Sequence, residues 1–171
     1  MIVKRSSGNF TPAPAGTWAA VCVDVVDLGM VAGFEGKPQH KIKIVWQIEE
    51  LRDDGKPHQV NKRYTPSLHE KASLRKDLES WRGRPFTDEE LDGWDLDNIL
   101  SVGCLLCVVH AVKNGTVYAN IQSLMKLPKS MTAPTPRDYV RMKDRPVEVG
   151  GQQTDEAPAT DWVADDQDVP F

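Results

Sequence analysis

The sequence predicts a mainly β domain: a five-stranded barrel with one helix between the third and fourth strands, then a disordered acidic C-terminal tail. Three observations lead there. Ile42, Ile44, Trp46 and Ile48 alternate with Lys41, Lys43, Val45 and Gln47, the period-2 signature of a strand. Asp54-Gly55 and Asn114-Gly115 stand between such runs, where hairpin turns need a residue at positive φ. Leu74, Leu78 and Trp81 recur at i, i+4 and i+7, a helical stripe between the two hairpins.

Taken in order, residues 1–15 hold Phe10, Pro12 and Pro14. Two prolines remove two backbone donors, so this is an extended arm. A first strand spans residues 17–28. Ala19, Val21, Val23 and Val25 lie on one side and Trp18, Ala20, Cys22, Asp24 and Val26 on the other. Both sides are partly apolar, as in a strand that curves round a barrel. Residues 29–38, with three glycines and a proline, read as a loop. The second strand, residues 40–51, has the clean alternation, and the third returns over 58–65 with Lys62, Arg63 and Tyr64. Ser67 followed by Glu70 has capping-box spacing, so a helix is expected over 68–81, ended by Gly83. A short helical turn is expected at 88–91 and a connector or short helix at 96–100. Residues 104–112 are almost unbroken apolar chain, which suits a central strand, and 116–124 alternate after the Asn-Gly turn. From residue 130 prolines and paired glycines replace periodicity, so 130–164 reads as flexible linker and 165–171 as a separate tip.

Strand, strand, strand, helix, strand, strand, with the first two strands long, is the order of the OB-fold, here over residues 16–129. A small α+β sheet with one helix is the competing arrangement.

Composition narrows the function. With 40% hydrophobic and 27% charged residues the chain has an ordinary globular profile. No run of 18 apolar residues is present to span a membrane, and the N-terminus lacks an apolar core of signal-peptide length. Cys22, Cys104 and Cys107, an odd count set in apolar runs, predict reduced thiols and a cytoplasmic setting. The net charge of −4 hides an asymmetry. Seven acids and no Lys or Arg follow residue 147, so residues 1–147 carry a net +3. A basic body can approach a polyanion; an acidic tail can compete for that surface or reach a basic partner.

Catalytic and metal signatures are weak. Cys104 and Cys107 have zinc-pair spacing, but period 2 puts them on opposite sides of a strand. No nucleophile elbow, phosphate-cradling loop or zinc-protease motif occurs, and no cofactor is implied. What remains is cations interleaved with rings: Lys41, Lys43, Lys62, Arg63, Tyr64, Tyr118 and Trp18. Lysines and arginines neutralise phosphates and release counterions, and rings stack on unpaired bases of any sequence. A solvated charged face over core aromatics explains the same residues without a ligand. That reading wins for Trp46 and Trp81, which keep strand and helix register with the apolar residues.

The chain ends Asp165-Asp166-Gln167-Asp168-Val169-Pro170-Phe171. This resembles the C-terminal tip of the single-stranded DNA-binding proteins of bacteria and their phages. The bacterial family ends in acids followed by Asp-Ile-Pro-Phe, and Asp168-Val169-Pro170-Phe171 differs by one isosteric change. The resemblance implies that Asp165, Asp166, Asp168, Val169, Pro170 and Phe171 bind partner proteins of replication, recombination and repair, and that the tip competes with DNA for the groove. The bacterial family's N-terminal signature is absent. The body looks more like the small single-stranded DNA-binding proteins of phage replication modules, through Phe10-x-Pro12-x-x-x-Gly16-x-Trp18 and the strand order. The expected function is sequence-nonspecific binding of single-stranded DNA without catalysis, with oligomerisation allowed. The alternative is an interaction protein that imitates the host tail and occupies its partner enzymes. A nuclease using scattered carboxylates comes third.

Overall fold

A computed structural model describes residues 11–146. They form a five-stranded antiparallel sheet and one main helix: β1 (Gly16–Ala32), β2 (Pro38–Leu51), β3 (Pro57–Tyr64), α1 (Ser73–Arg82), the short α2 (Asp88–Asp92), β4 (Gly103–Lys113) and β5 (Thr116–Met125). The sheet order is β3-β2-β1-β4-β5. At 17 residues, β1 is long enough to serve both halves. Gly16–Val21 pairs with β4 and Ala20–Ala32 with β2. Every neighbour is antiparallel, so β3 and β5 both run parallel to β1. These two outer strands come within 8 Å of each other, Cα to Cα.

The core lies inside this curl. Ile42, Ile44, Trp46 and Ile48 meet Ala20, Cys22, Val60, Leu106 and Val108 there. α1 closes it with Leu74, Leu78 and Trp81, all buried, and the Trp46 and Trp81 rings stand 5.9 Å apart. Hydrogen bonds tie the helix to the last strands. Ser80 Oγ donates to the Leu124 carbonyl (2.6 Å), the Lys126 N–H to the Ser80 carbonyl (3.1 Å) and Trp81 Nε1 to the Gly103 carbonyl (2.8 Å).

Several boundaries differ from the sequence reading. β1 continues to Ala32, so the loop shrinks to a short turn around Phe34–Gly36. Gly29 does not break the strand. It takes φ 65° at a bulge, and its N–H donates to the Asp27 carboxylate (2.8 Å). An earlier bulge, between Cys22 and Asp24, shifts the alternation: Cys22 stays in the core while Asp24 lies opposite Val45 on the other side of the sheet. α1 starts at Ser73, five residues later than expected. Ser67 Oγ instead accepts the His69 N–H (3.1 Å), closing a local turn, and no side chain caps α1. The capping box is formed at α2, where Thr87 and Glu90 bond reciprocally. Arg82 donates to Glu90 as well, and these bonds hold that carboxyl down at about 2. Asn114 and Gly115 both take positive φ (51° and 75°), the type I′ turn that their identity predicts.

The largest departure concerns the expected linker. Residues 137–142 lie against the sheet and form a strap, described below. The end of the N-terminal arm is also docked: Ala13 is buried, and its carbonyl accepts from His110 Nε2 (2.7 Å). Residues 1–10 of the arm, 147–164 of the linker and the whole tip, including Asp165, Asp166, Asp168, Val169, Pro170 and Phe171, lie outside the described residues.

Candidate nucleic-acid interface

Strand parity and register decide which cations share a surface. On β2, residues 41, 43, 45 and 47 turn away from the core. Register places Arg63 of β3 opposite Lys43, Asn61 opposite Val45 and Gln59 opposite Gln47. Lys41, Lys43 and Arg63 therefore form one row on the outer face of β2 and β3. The two lysines do not project into solvent as the sequence reading expected. Lys41 is 6% exposed and Lys43 5%, with Lys41 Nζ donating to Thr65 Oγ1 (2.8 Å). Arg63 is half-buried and is the accessible member of the row.

Lys62 and Tyr64 share a face, as period 2 requires, but it is the core's face. Tyr64 lies opposite Ile42 and is 1% exposed. Its hydroxyl donates to Asp77 Oδ2 (2.7 Å), and Lys62 Nζ donates to the same oxygen (2.7 Å) while standing 5.2 Å over the Tyr64 ring. The pair locks β3 to α1, and a ring so placed has no face left for a base. Trp18 packs on the edge of the core and donates from Nε1 to the Pro14 carbonyl (2.9 Å). Tyr118 is half-buried on β5, opposite Ala111. Neither ring joins the row on β2 and β3.

Two features of this region went unread in the sequence. The first is Phe34, 80% exposed in the turn between β1 and β2. A phenylalanine with no periodic partner, in a glycine-rich loop, was the available signal. The second is the strap. Gln47 Nε2 donates to the Arg137 carbonyl (2.7 Å), and the Arg137 N–H donates back to Gln47 Oε1 (2.8 Å). Tyr139 packs on Val21, Val23 and Val45, the small apolar cluster of the outer face. Asp24, 1% exposed, accepts from the Tyr139 hydroxyl (2.9 Å), Arg141 Nε (3.1 Å) and the Met142 N–H (2.8 Å). Burial would raise the Asp24 pKa, but the bonds from Met142, Tyr139 and Arg141 outweigh it and hold the carboxyl below its ordinary value.

Cys22 and Cys104 sit in unreactive settings. Burial pushes the Cys22 thiol up to about 12, and Cys104 is raised for the same reason. Cys104 is in the core, whereas Cys107 is half-buried and near Gln122. Among the described residues no group of three His, Cys, Asp or Glu is placed to hold a metal, and no helix is long and apolar enough to cross a membrane. No protein-family model matches the chain, and no curated protein matches it.

Proposed function

We propose that this chain is a sequence-nonspecific single-stranded DNA-binding protein with an OB-fold body, acting in phage DNA replication, recombination or repair and recruiting partner proteins through its C-terminal tip. The observation that carries the reading is the row of Lys41, Lys43 and Arg63 on the sheet face opposite the main core. A core has no need of three gathered cations, whereas a phosphate backbone does. The fold reading draws on the strand order, on the approach of β3 and β5, and on a helix between β3 and β4 that fills the space beside them. In an OB-fold the second and third strands and the turn between the first and second meet the ligand. Phe34 stands in that turn, and its ring is free to stack on a base, worth about 1–3 kcal/mol.

The test is a titration of the full chain with labelled oligo(dT) over a salt series. The variant Arg63→Glu, at the accessible member of the row, is expected to weaken binding at low salt and to flatten the logarithmic salt slope by about 0.7, one single-strand phosphate contact. An unchanged titration removes the row from the interface. A wild-type chain that binds no oligonucleotide leaves the tail-imitating interaction protein as the better reading. In the same assay, removing residues 165–171 is expected to leave DNA affinity equal or tighter while abolishing capture of replication proteins; weaker DNA binding contradicts the role given to the tip.

A further inference from the structure

The strap is built in a way a linker does not require. Its backbone is held at one end by the Gln47 amide, 2% exposed, through a reciprocal pair of hydrogen bonds. At the other end it is held by the Asp24 carboxylate through three donors. Burying a carboxylate and an amide is costly unless each is bonded, and apolar residues would cover the same surface at less cost. What the polar anchors add is position: they fix where the strap residues stand. The anchors belong to the outer face, since Gln47 has the same parity as Lys41 and Lys43, and Asp24 is opposite Val45.

The residue placed at the first anchor is Arg137. Its peptide is bonded on both sides, and the residue itself is exposed. Among the described residues its guanidinium meets no carboxylate. The neighbouring arginines are used differently: Arg141 is tied to Asp24 and Asp97, and Arg145, beyond the strap, lies over the Tyr139 ring at 5.4 Å. Gln47 is four residues beyond Lys43 on β2, about 13 Å at strand rise. Arg137 therefore stands on the same face as the cationic row, beyond Val45.

We propose that the strap is a structural part of the nucleic-acid face and that Arg137 is a phosphate-contacting residue, continuing the line begun by Lys41, Lys43 and Arg63. This rests on the reading of the outer face as a single-strand interface. Gln47 and Asp24 are positioning residues, which hold the strap so that the arginine is in place before the ligand arrives.

The experiment compares wild type, Arg137→Ala and Arg137→Lys as full chains, with labelled oligo(dT) over a salt series and thermal melting as a control. Arg137→Ala is expected to lower affinity several-fold at low salt and to reduce the logarithmic salt slope by about 0.7, one single-strand contact. Its melting temperature is expected to be unchanged, because the strap holds Arg137 by its backbone. Arg137→Lys keeps the charge and is expected to keep the slope. If wild type binds and Arg137→Ala follows the wild-type curve, the proposal is overturned while the function stands. A loss of affinity in Arg137→Ala with an unaltered slope also overturns it, since a merely structural role would do that. If wild type does not bind, the reading of the outer face fails and takes this inference with it.

Discussion

Along β2, Ile42, Ile44, Trp46 and Ile48 turn one way and Lys41, Lys43, Val45 and Gln47 the other, and all eight are less than 7% exposed. The two faces reach equal burial by unlike means. On the inner face apolar side chains leave water, each stabilising the fold by about 1.5–3 kcal/mol. On the outer face charged and amide groups are buried beside valines, and their burial is tolerated because each described anchor has a partner: Lys41 with Thr65, Gln47 with Arg137, Asp24 with three donors. The inner face is held mainly by shape, with a few polar ties such as Trp81 to Gly103 and Tyr64 to Asp77, while the outer face needs named partners in place. Burial alone therefore does not separate the two faces; the kind of group buried does.

Substitutions sharpen that contrast. The largest effect is expected at Trp46, whose ring is wholly buried against Trp81. Trp46→Ala should cost about 3–5 kcal/mol in urea unfolding, as a cavity that the curled sheet cannot collapse. A loss under about 1 kcal/mol would mean the inner face is not the core.

On the outer face Asp24→Ala comes next, at about 2–3 kcal/mol, since it removes the acceptor of three donors, one of them charged. This carboxyl carries a pH signature. Its folded pKa lies below the unfolded value of about 3.9, so its contribution is complete above that pH and is lost as pH falls through the folded value. Unfolding measured at neutral and acid pH should show wild type losing this part of its stability while Asp24→Ala has none to lose. Equal acid sensitivity in both proteins would place the titrating group elsewhere.

The smallest effect is expected for Tyr139→Phe. The ring stays on Val21, Val23 and Val45 and only the hydroxyl bond to Asp24 goes, so about 1 kcal/mol is lost. Amide exchange at Met142 should quicken, because its acceptor is then held by one donor fewer. Exchange as slow as in wild type would show that the apolar cluster alone keeps the strap down.

Much of the sheet was legible because its signals are local. The alternation of residues 41–48, the Asn114-Gly115 turn and the Leu74, Leu78, Trp81 stripe each specify an element within a few residues, and each element is present. Element boundaries were less legible, because a neighbour decided them. Gly29 reads as a breaker, yet pairing with Lys41 carries β1 through it. Ser67 reads as a helix cap, yet the chain first turns through His69 and Ala72 before α1 begins. Among the candidate site residues, parity gathered Lys41 with Lys43 correctly. It could not say that the face shared by Lys62 and Tyr64 is the inner one, because that follows from register with Ile42 and Ile44.

By itself, then, the sequence determined the strand and helix order, the polar and apolar sides of β2, and the charge contrast between body and tail. Those depend on residue spacing and composition alone. Tertiary structure decided which cations stand together, that Tyr64 bonds Asp77 inside the fold, and that residues 137–142 return to the sheet. The strap has no periodicity to read, and its partners lie 90 to 118 residues upstream. A buried carboxylate at a β-bulge and a buried amide on β2 become anchors only when a distant backbone arrives to satisfy them.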